Sequence, residues 1–231
     1  MDFDRLCKVC LVVSIVGIIL GYSSNVIFWF STRNPQVIGI ETVSIDTTQD
    51  PIQTDPVNKN PIHIGHINLL PQADYNISGM VVAKNIFVPG LFSFDSFGRL
   101  APVDLGIVWG KLVDPDFEKY ITFKSYKTID RARILASHPK FDYPFDYGYL
   151  SSHISHNHII PANNNVLKAL ISVKKKDIVN LQGYLVDIII NNRPVAKTSL
   201  SRTDENSYAR GGGACEIMYV KRVRIGNKVY Q

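Results

Sequence analysis

The stretch IVNLQGYLVDIII, residues 178 to 190, decides the fold class of this 231-residue chain. Its density of Ile, Val, Leu and Tyr is typical of β-strands, and Gly183 is predicted to interrupt it, leaving two strand arms. The turn sequence Asn191-Asn192-Arg193-Pro194 follows directly. Beyond it, CEIMYVKRVRI at residues 215 to 225 alternates its side chains between two faces and predicts the last strand.

Earlier segments extend the same pattern. Strands are predicted in YNISGMVVAKNIFVP (75–89), VDLGIVWGKLV (103–113) and KYITFKSYK (119–127). Short helices are predicted in TIDRARILASHP, capped by Thr128, and over residues 165–173, capped by Asn163 or Asn164. Many short strands without a βαβ rhythm predict a mainly β fold, a small antiparallel barrel or sandwich of the OB-like or SH3-like kind, with one or two short helices.

The N-terminus differs from the rest, because Val9 to Thr32 is a run of 24 residues without a formal charge. As a helix it is roughly 36 Å long, which exceeds the ~30 Å hydrocarbon thickness of a bilayer. A cleaved signal peptide and a buried core helix are the alternatives. The apolar run resumes after Ser23-Ser24-Asn25, and no convincing A-x-A site follows, which favours a retained anchor. The sequence predicts a transmembrane helix at about residues 9–30.

The charges that flank this helix predict its orientation and the compartment of the rest. Arg5 and Lys8 precede it and Arg33 follows it, which favours a cytoplasmic N-terminus. In a bacterium the helix would then lie in the inner membrane, and the C-terminal domain would face the periplasm. The predicted division is an anchor at 1–36, a polar tether rich in Pro, Thr and Asp at 37–73, and a β-rich globular domain at 74–231.

Composition excludes several classes of protein. With 45% hydrophobic and 19% charged residues, the chain has apolar surface enough to fold, and three cysteines exclude a disulfide scaffold. The formal charge of +5 is unevenly spread, since residues 161–231 hold twelve bases and five acids, net +7. The candidate anion-binding residues are Lys174, Lys175, Lys176, Lys221, Arg222 and Arg224. Few aromatic residues lie among them, and a periplasmic location also disfavours nucleic acid as the partner.

Titratable residues suggest two kinds of chemistry, each with a simpler alternative. The pattern His153-x-x-His156-x-His158 places two imidazoles on one strand face, where a Zn or Cu ion would be ligated with help from Asp142 and Asp146. Hydrogen-bonded structural histidines are the favoured interpretation, so no metal or cofactor is predicted. Cys215 is a candidate nucleophile with His158 as its base and Glu216 beside it, and the alternative is a small packed thiol.

Several of these motifs together resemble a group of uncharacterised bacterial proteins with an N-terminal membrane anchor. The first matches are Tyr75-x-Ile77-x-Gly79, Asp104-Leu105 with Trp109-Gly110, and Asn157-His158-x-Ile160-Pro161-Ala162-Asn163. They are followed by a GD-x-V-x-L-x-G-x-L-V element in which Lys176 replaces the first glycine, and by an S-x-x-R-x-D … G-A-C-E ending at Glu216. His153 and His156 fall outside the group's pattern. The resemblance implies architecture and location, with structural roles for Asp104, Trp109, Asn157, His158, Pro161, Asn163, Gly183, Arg202, Asp204 and Cys215.

Taken together, the sequence predicts a single-pass inner-membrane protein that presents a periplasmic β-rich domain to a protein partner in the cell envelope. It contains no complete catalytic constellation and identifies no small-molecule substrate, which favours a non-enzymatic role. The alternatives are a membrane-tethered hydrolase that uses Cys215 and His158, and a basic nucleic-acid-binding barrel of a DNA-transfer system.

Overall fold

A computed structural model describes residues 34–87, 99–127, 132–137, 147–200 and 215–231. Their fold is mainly β with a few short helices, which confirms the predicted class. Among the helices of these residues, none combines the length and apolar character needed to cross a bilayer. The predicted membrane helix at about 9–30 lies outside the described residues.

Twelve strands and two α-helices are described, and most of the longer strands cover segments that the sequence predicts to be strands. The strands are β1 (Gly39–Ile40), β2 (Ile52–Thr54), β3 (Ile62–Ile64), β4 (Ile67–Ile86), β5 (Val103–Val108), β6 (Thr122–Lys127), β7 (Ala132–Ser137), β8 (Ile154–Pro161), β9 (Ile178–Ile190), β10 (Arg193–Ala196), β11 (Glu216–Ile225) and β12 (Lys228–Tyr230). The α-helices are α1 (Tyr147–Ser152) and α2 (Asn164–Ser172), and two 3-10 helices follow β5 at Gly110–Val113 and Pro115–Lys119.

The five longest strands of the main sheet pair in a closed circuit. β4 pairs with β5, β5 with β8, β8 with β11, β11 with β9, and β9 returns to β4. Four of these pairings are antiparallel, but β8 and β11 run parallel, so the sheet is mixed where a purely antiparallel one was predicted. The parallel pairing arises because the chain crosses from β8 through α2 and β9 before it returns in β11.

One fully buried core joins the five strands of the circuit. It takes an apolar side chain from each of them: Ile77, Leu105, Ile159, Leu181 and Val220, all at 0% exposure. Val166, Ala169 and Leu170 of α2 pack into the same cluster. Because successive side chains of a strand point to opposite faces, these residues fix which face of each strand is internal.

Residues 37–73 are not the free polar tether that their composition predicts, because β1, β2, β3 and the start of β4 lie within them. Glu41 forms ion pairs with Arg222 and, at 2.7 Å, with Arg224 of β11. Asp50 accepts a hydrogen bond from the Trp109 indole at 2.9 Å. Most side chains of this segment are exposed, so its polar composition reflects the edge of the folded domain.

The two predicted helices have opposite outcomes. Asn163 caps α2 as predicted, since its side chain accepts hydrogen bonds from the backbone amides of Asn165 and Val166. The helix predicted to begin at Thr128 is wrong for its central residues, because residues 132–137 form β7 and pair antiparallel with β6. Strand pairing there overrides a local sequence that favours a helix.

The C-terminal end of α2 is capped by Lys84 of β4. The Lys84 ammonium donates hydrogen bonds to the carbonyl oxygens of Ile171 and Val173, both at 2.5 Å. Burial lowers the pKa of Lys84 to about 8, against a smaller opposing effect of the Asp177 carboxylate.

This depressed pKa predicts a pH dependence of stability. The unfolded lysine keeps its proton up to about pH 10.5, whereas the folded one releases it near pH 8, so alkaline solution favours the folded state. We expect the free energy of unfolding of the wild type, relative to Lys84→Met, to rise between about pH 8 and 10.5. The increase should be about 1 kcal/mol, because part of the group is solvated. Denaturant titrations at several pH values measure this increase, and Lys175→Met, which removes an exposed lysine, is the charge-matched control. If the difference in unfolding free energy between the wild type and Lys84→Met does not change with pH, the prediction is contradicted.

Candidate functional site

Three neighbouring strands bring four chemically active side chains to one face of the circuit. Asp104 of β5 is paired in register with His158 of β8, and His156 lies two residues earlier on β8. Cys215 directly precedes β11, whose Glu216 is in register with Asn157. Asn157 and Glu216 lie on the same side as the core residue Ile159, so their chain neighbours point to the opposite face. We call Asp104, His156, His158 and Cys215 the donor cluster.

Within the donor cluster the polar atoms are in contact or close to it. His158 Nδ1 lies 2.7 Å from Asp104 Oδ1, and His156 Nε2 lies 3.9 Å from Asp104 Oδ2. His156 Nδ1 lies 3.7 Å from Cys215 Sγ. The two imidazole rings are tilted against each other with centroids 4.9 Å apart. Asp104 and both histidines are buried, and Cys215 is partly exposed, so the thiol lies at the solvent side of a largely dry cluster.

A second polar group lies on the internal face of the same strands. Ser155 donates a hydrogen bond to Glu216 Oε2 at 2.7 Å, and Asn157 Nδ2 donates to Ser155 Oγ at 3.1 Å. Glu216 is the first residue of β11, and its carboxylate is fully buried on the internal face. It therefore points away from Cys215, although the two residues are adjacent in sequence.

The structure separates the predicted histidine cluster. His153 lies at the end of α1, where its ring stacks on Tyr149 at a centroid distance of 3.8 Å, while His156 and His158 join Cys215 in the donor cluster. Asp142 and Asp146, predicted to complete a metal site, lie outside the described residues. The contact between His156 and Cys215 was missed, because the sequence analysis paired the thiol with His158 across a sheet register it had no means to predict.

The predicted basic residues do not share one groove. Lys175 and Lys176, of the run Lys174–Lys176, line an apolar cavity of about 250 Å³ between β4 and the second 3-10 helix. Lys221 and Arg222 line a separate polar cleft of about 410 Å³. The side chains of Arg222 and Arg224 are largely buried and share the single Glu41 carboxylate, which offsets one of their two positive charges.

The remaining motif residues act mainly in the fold. Trp109 is fully buried, Asn163 caps α2, and Gly183 lies where β9 passes closest to β11. Pro161 ends β8 and is paired with Val220. Arg202 and Asp204, predicted to form a polar contact, lie outside the described residues.

Comparisons of the chain with protein-family models, with curated proteins and with solved structures find no match.

Proposed function

We propose that the protein is a membrane-anchored interaction module, held at the periplasmic face of a bacterial inner membrane, that binds a protein partner of the cell envelope. The uncharged run Val9–Thr32 supports the anchor, and the flanking basic residues support the orientation. Gln36 exchanges two hydrogen bonds with Asn165 at the start of α2. An anchor that ends near Thr32 would therefore hold the domain directly at the bilayer, and the partner would be met there.

We also infer that the closed circuit is a small barrel of the OB type. In chain order its strands are β4, β5, β8, β9 and β11, and they pair in the order 1-2-3-5-4-1 with strands 3 and 5 parallel. Helix α2 connects the third strand to the fourth. OB-type barrels bind oligonucleotides and oligosaccharides on the face of strands 2 and 3, which are β5 and β8 here, so this topology is that of a binding scaffold.

An exposed apolar edge next to the predicted anchor is the observation that carries the proposal. Ile38, Ile40 and Val43 are 49%, 58% and 76% exposed. In the part of the chain that the structure describes, β1 pairs with β12 along one edge and with no other strand. Exposed apolar side chains on an open strand edge are typical of surfaces that another chain covers.

Reporter fusions and in-cell cross-linking test the proposal together. Fusions after residue 40 and at the C-terminus should both report a periplasmic location. In the full-length chain, a photo-reactive phenylalanine analogue at Ile40 should yield one discrete protein adduct. The same analogue placed at Val195 is the control and should yield no protein adduct. Val195 is 54% exposed and lies on β10, at the other end of the strand order. A cytoplasmic C-terminus, or adducts with lipid alone, would contradict the proposal.

The contact between Cys215 and His156 favours a second candidate, a tethered thiol hydrolase. An imidazole 3.7 Å from a partly exposed thiol resembles a nucleophile and base pair, with His156 in the position that the sequence analysis gave to His158. The two candidates differ under Cys215→Ala. A hydrolase would lose all turnover of a test ester, whereas the Ile40 adduct of an interaction module would persist.

A further inference from the structure

The donor cluster has the ligand chemistry of a metal site. His156, His158 and Cys215 each offer one ligand atom, and these three atoms all lie within 4.8 Å of one another. Four zinc ligands at about 2.0 to 2.3 Å from the ion lie roughly 3.3 to 3.8 Å apart in tetrahedral geometry. The distance of 3.7 Å between Cys215 Sγ and His156 Nδ1 already falls within this range. Small side-chain rotations therefore suffice to bring the third atom into place.

The sheet holds these atoms on a rigid frame. Two ligands come from alternate positions of β8 and the third precedes β11, which pairs with β8 in parallel register. Gly106 faces His156 across the pairing of β5 with β8, and the Asp104 carboxylate of β5 lies 3.9 Å from His156 Nε2. Ligand sites on paired strands keep their geometry better than sites on loops.

Asp104 is placed to orient His158 as a metal ligand. Its Oδ1 lies 2.7 Å from His158 Nδ1, and a carboxylate in that position accepts the Nδ1–H. The neutral ring then carries its lone pair on Nε2, the nitrogen that would bind a metal. This carboxylate–histidine arrangement recurs behind the ligands of zinc proteins and fixes the tautomer of the ring.

Charge points the same way. Asp104 is 1% exposed, and a thiolate at Cys215 would place a second negative charge in the same cluster, because ligating imidazoles are neutral. A divalent cation bound by the thiolate offsets both negative charges. We propose that Cys215, His156 and His158 bind one zinc ion and that Asp104 is a positioning residue for His158. This site does not rest on the proposed interaction function.

Two imidazoles and a thiolate suit both zinc and copper. We assign zinc because a carboxylate that orients a histidine ligand, as Asp104 orients His158, recurs in zinc proteins. With three protein ligands, zinc keeps a fourth position for water or a bound group.

Titration of the full-length chain in detergent tests the site. Cys7→Ser and Cys10→Ser leave Cys215 as the sole thiol. The metal-free chain is titrated with Zn(II) against a chromophoric chelator, and with Co(II) as a spectroscopic probe. We expect one zinc per chain with a Kd below about 1 μM. The Co(II) form should show an intense near-ultraviolet thiolate-to-metal band together with the visible bands of tetrahedral cobalt.

Variants identify the ligands. Cys215→Ser and His156→Ala should each weaken zinc binding at least about 100-fold, and the subtler Asp104→Asn about 10- to 100-fold. His63→Ala is the matched control: it removes an exposed histidine of β3, and binding should stay within about twofold of the wild type. Circular dichroism checks the fold of each variant. If a variant does not fold, the thiolate band of the Co(II) form still decides whether Cys215 is a ligand.

Three results would overturn the assignment. They are the absence of stoichiometric zinc binding, a Co(II) spectrum without the thiolate band, and Cys215→Ser binding zinc as well as its parent. Tight Cu(I) binding without measurable zinc binding would overturn it as well.

Discussion

Replacing Gly183 by alanine is expected to destabilise the protein by about 4 kcal/mol or more. Gly183 of β9 pairs with Val220 of β11 and with Tyr75 of β4, at the seam where the strand circuit closes. A methyl group added at Gly183 would lie 1.9 Å from the Tyr219 carbonyl oxygen and 3.1 Å from Val220 Cα. These are backbone atoms, so they cannot move aside without breaking the pairing of β9 with β11.

Gly39→Ala is the matched control for this prediction. Gly39 also lies in a strand, β1, but the nearest atom to its added methyl group would be Val229 Cβ at 3.9 Å, an ordinary contact. Its effect should stay within about 0.5 kcal/mol. Urea titration of both full-length variants in detergent measures the difference. If Gly183→Ala unfolds at the same urea concentration as Gly39→Ala, the two strands do not approach each other as described.

The sequence predicted the strands well because strand formation leaves a local pattern. IVNLQGYLVDIII became β9 and CEIMYVKRVRI contains β11, since in both the side chains sort by polarity onto the faces that the sheet buries or exposes. Gly183 was predicted to interrupt two strand arms, but β9 is continuous. The absence of a side chain at Gly183 instead allows the backbone of β11 to approach β9. This role was not predictable locally, because β11 lies about forty residues further along the chain.

Features that depend on distant partners were not predictable in the same way. Residues 37–73 looked like a tether because Pro, Thr and Asp are abundant, whereas the partner of Glu41 is Arg224, which lies 183 residues further along the chain. Likewise, Cys215 meets His156 only through the parallel register of β8 and β11. The donor types at the site were visible in the sequence, since His156 and His158 are two residues apart. The sequence pointed to His158 as the partner of Cys215, and the 3.7 Å approach of His156 Nδ1 to the thiol was not foreseen, because register between distant strands leaves no local pattern.

The second large effect is expected at Trp109, which directly follows β5. Trp109 is among the largest fully buried side chains and belongs to the central core. Trp109→Ala removes its buried area and leaves a cavity, which should cost about 3 to 5 kcal/mol. Trp109→Phe keeps much of the apolar contact but loses the hydrogen bond to Asp50, and should cost about 1 to 2 kcal/mol.

The same substitution tests whether the segment before β2 belongs to the domain. The Asp50 carboxylate binds the Trp109 indole, and the Thr47 carbonyl accepts a hydrogen bond from Gly110 N at 2.7 Å. Losing the indole should therefore release residues 45–50, and limited proteolysis there should become at least about tenfold faster in Trp109→Ala than in the wild type. Asp50→Asn retains an acceptor for the indole and should remain protected. If the wild type is already cut as fast as Trp109→Ala, the segment is the free tether that its composition suggested, and the domain begins after it.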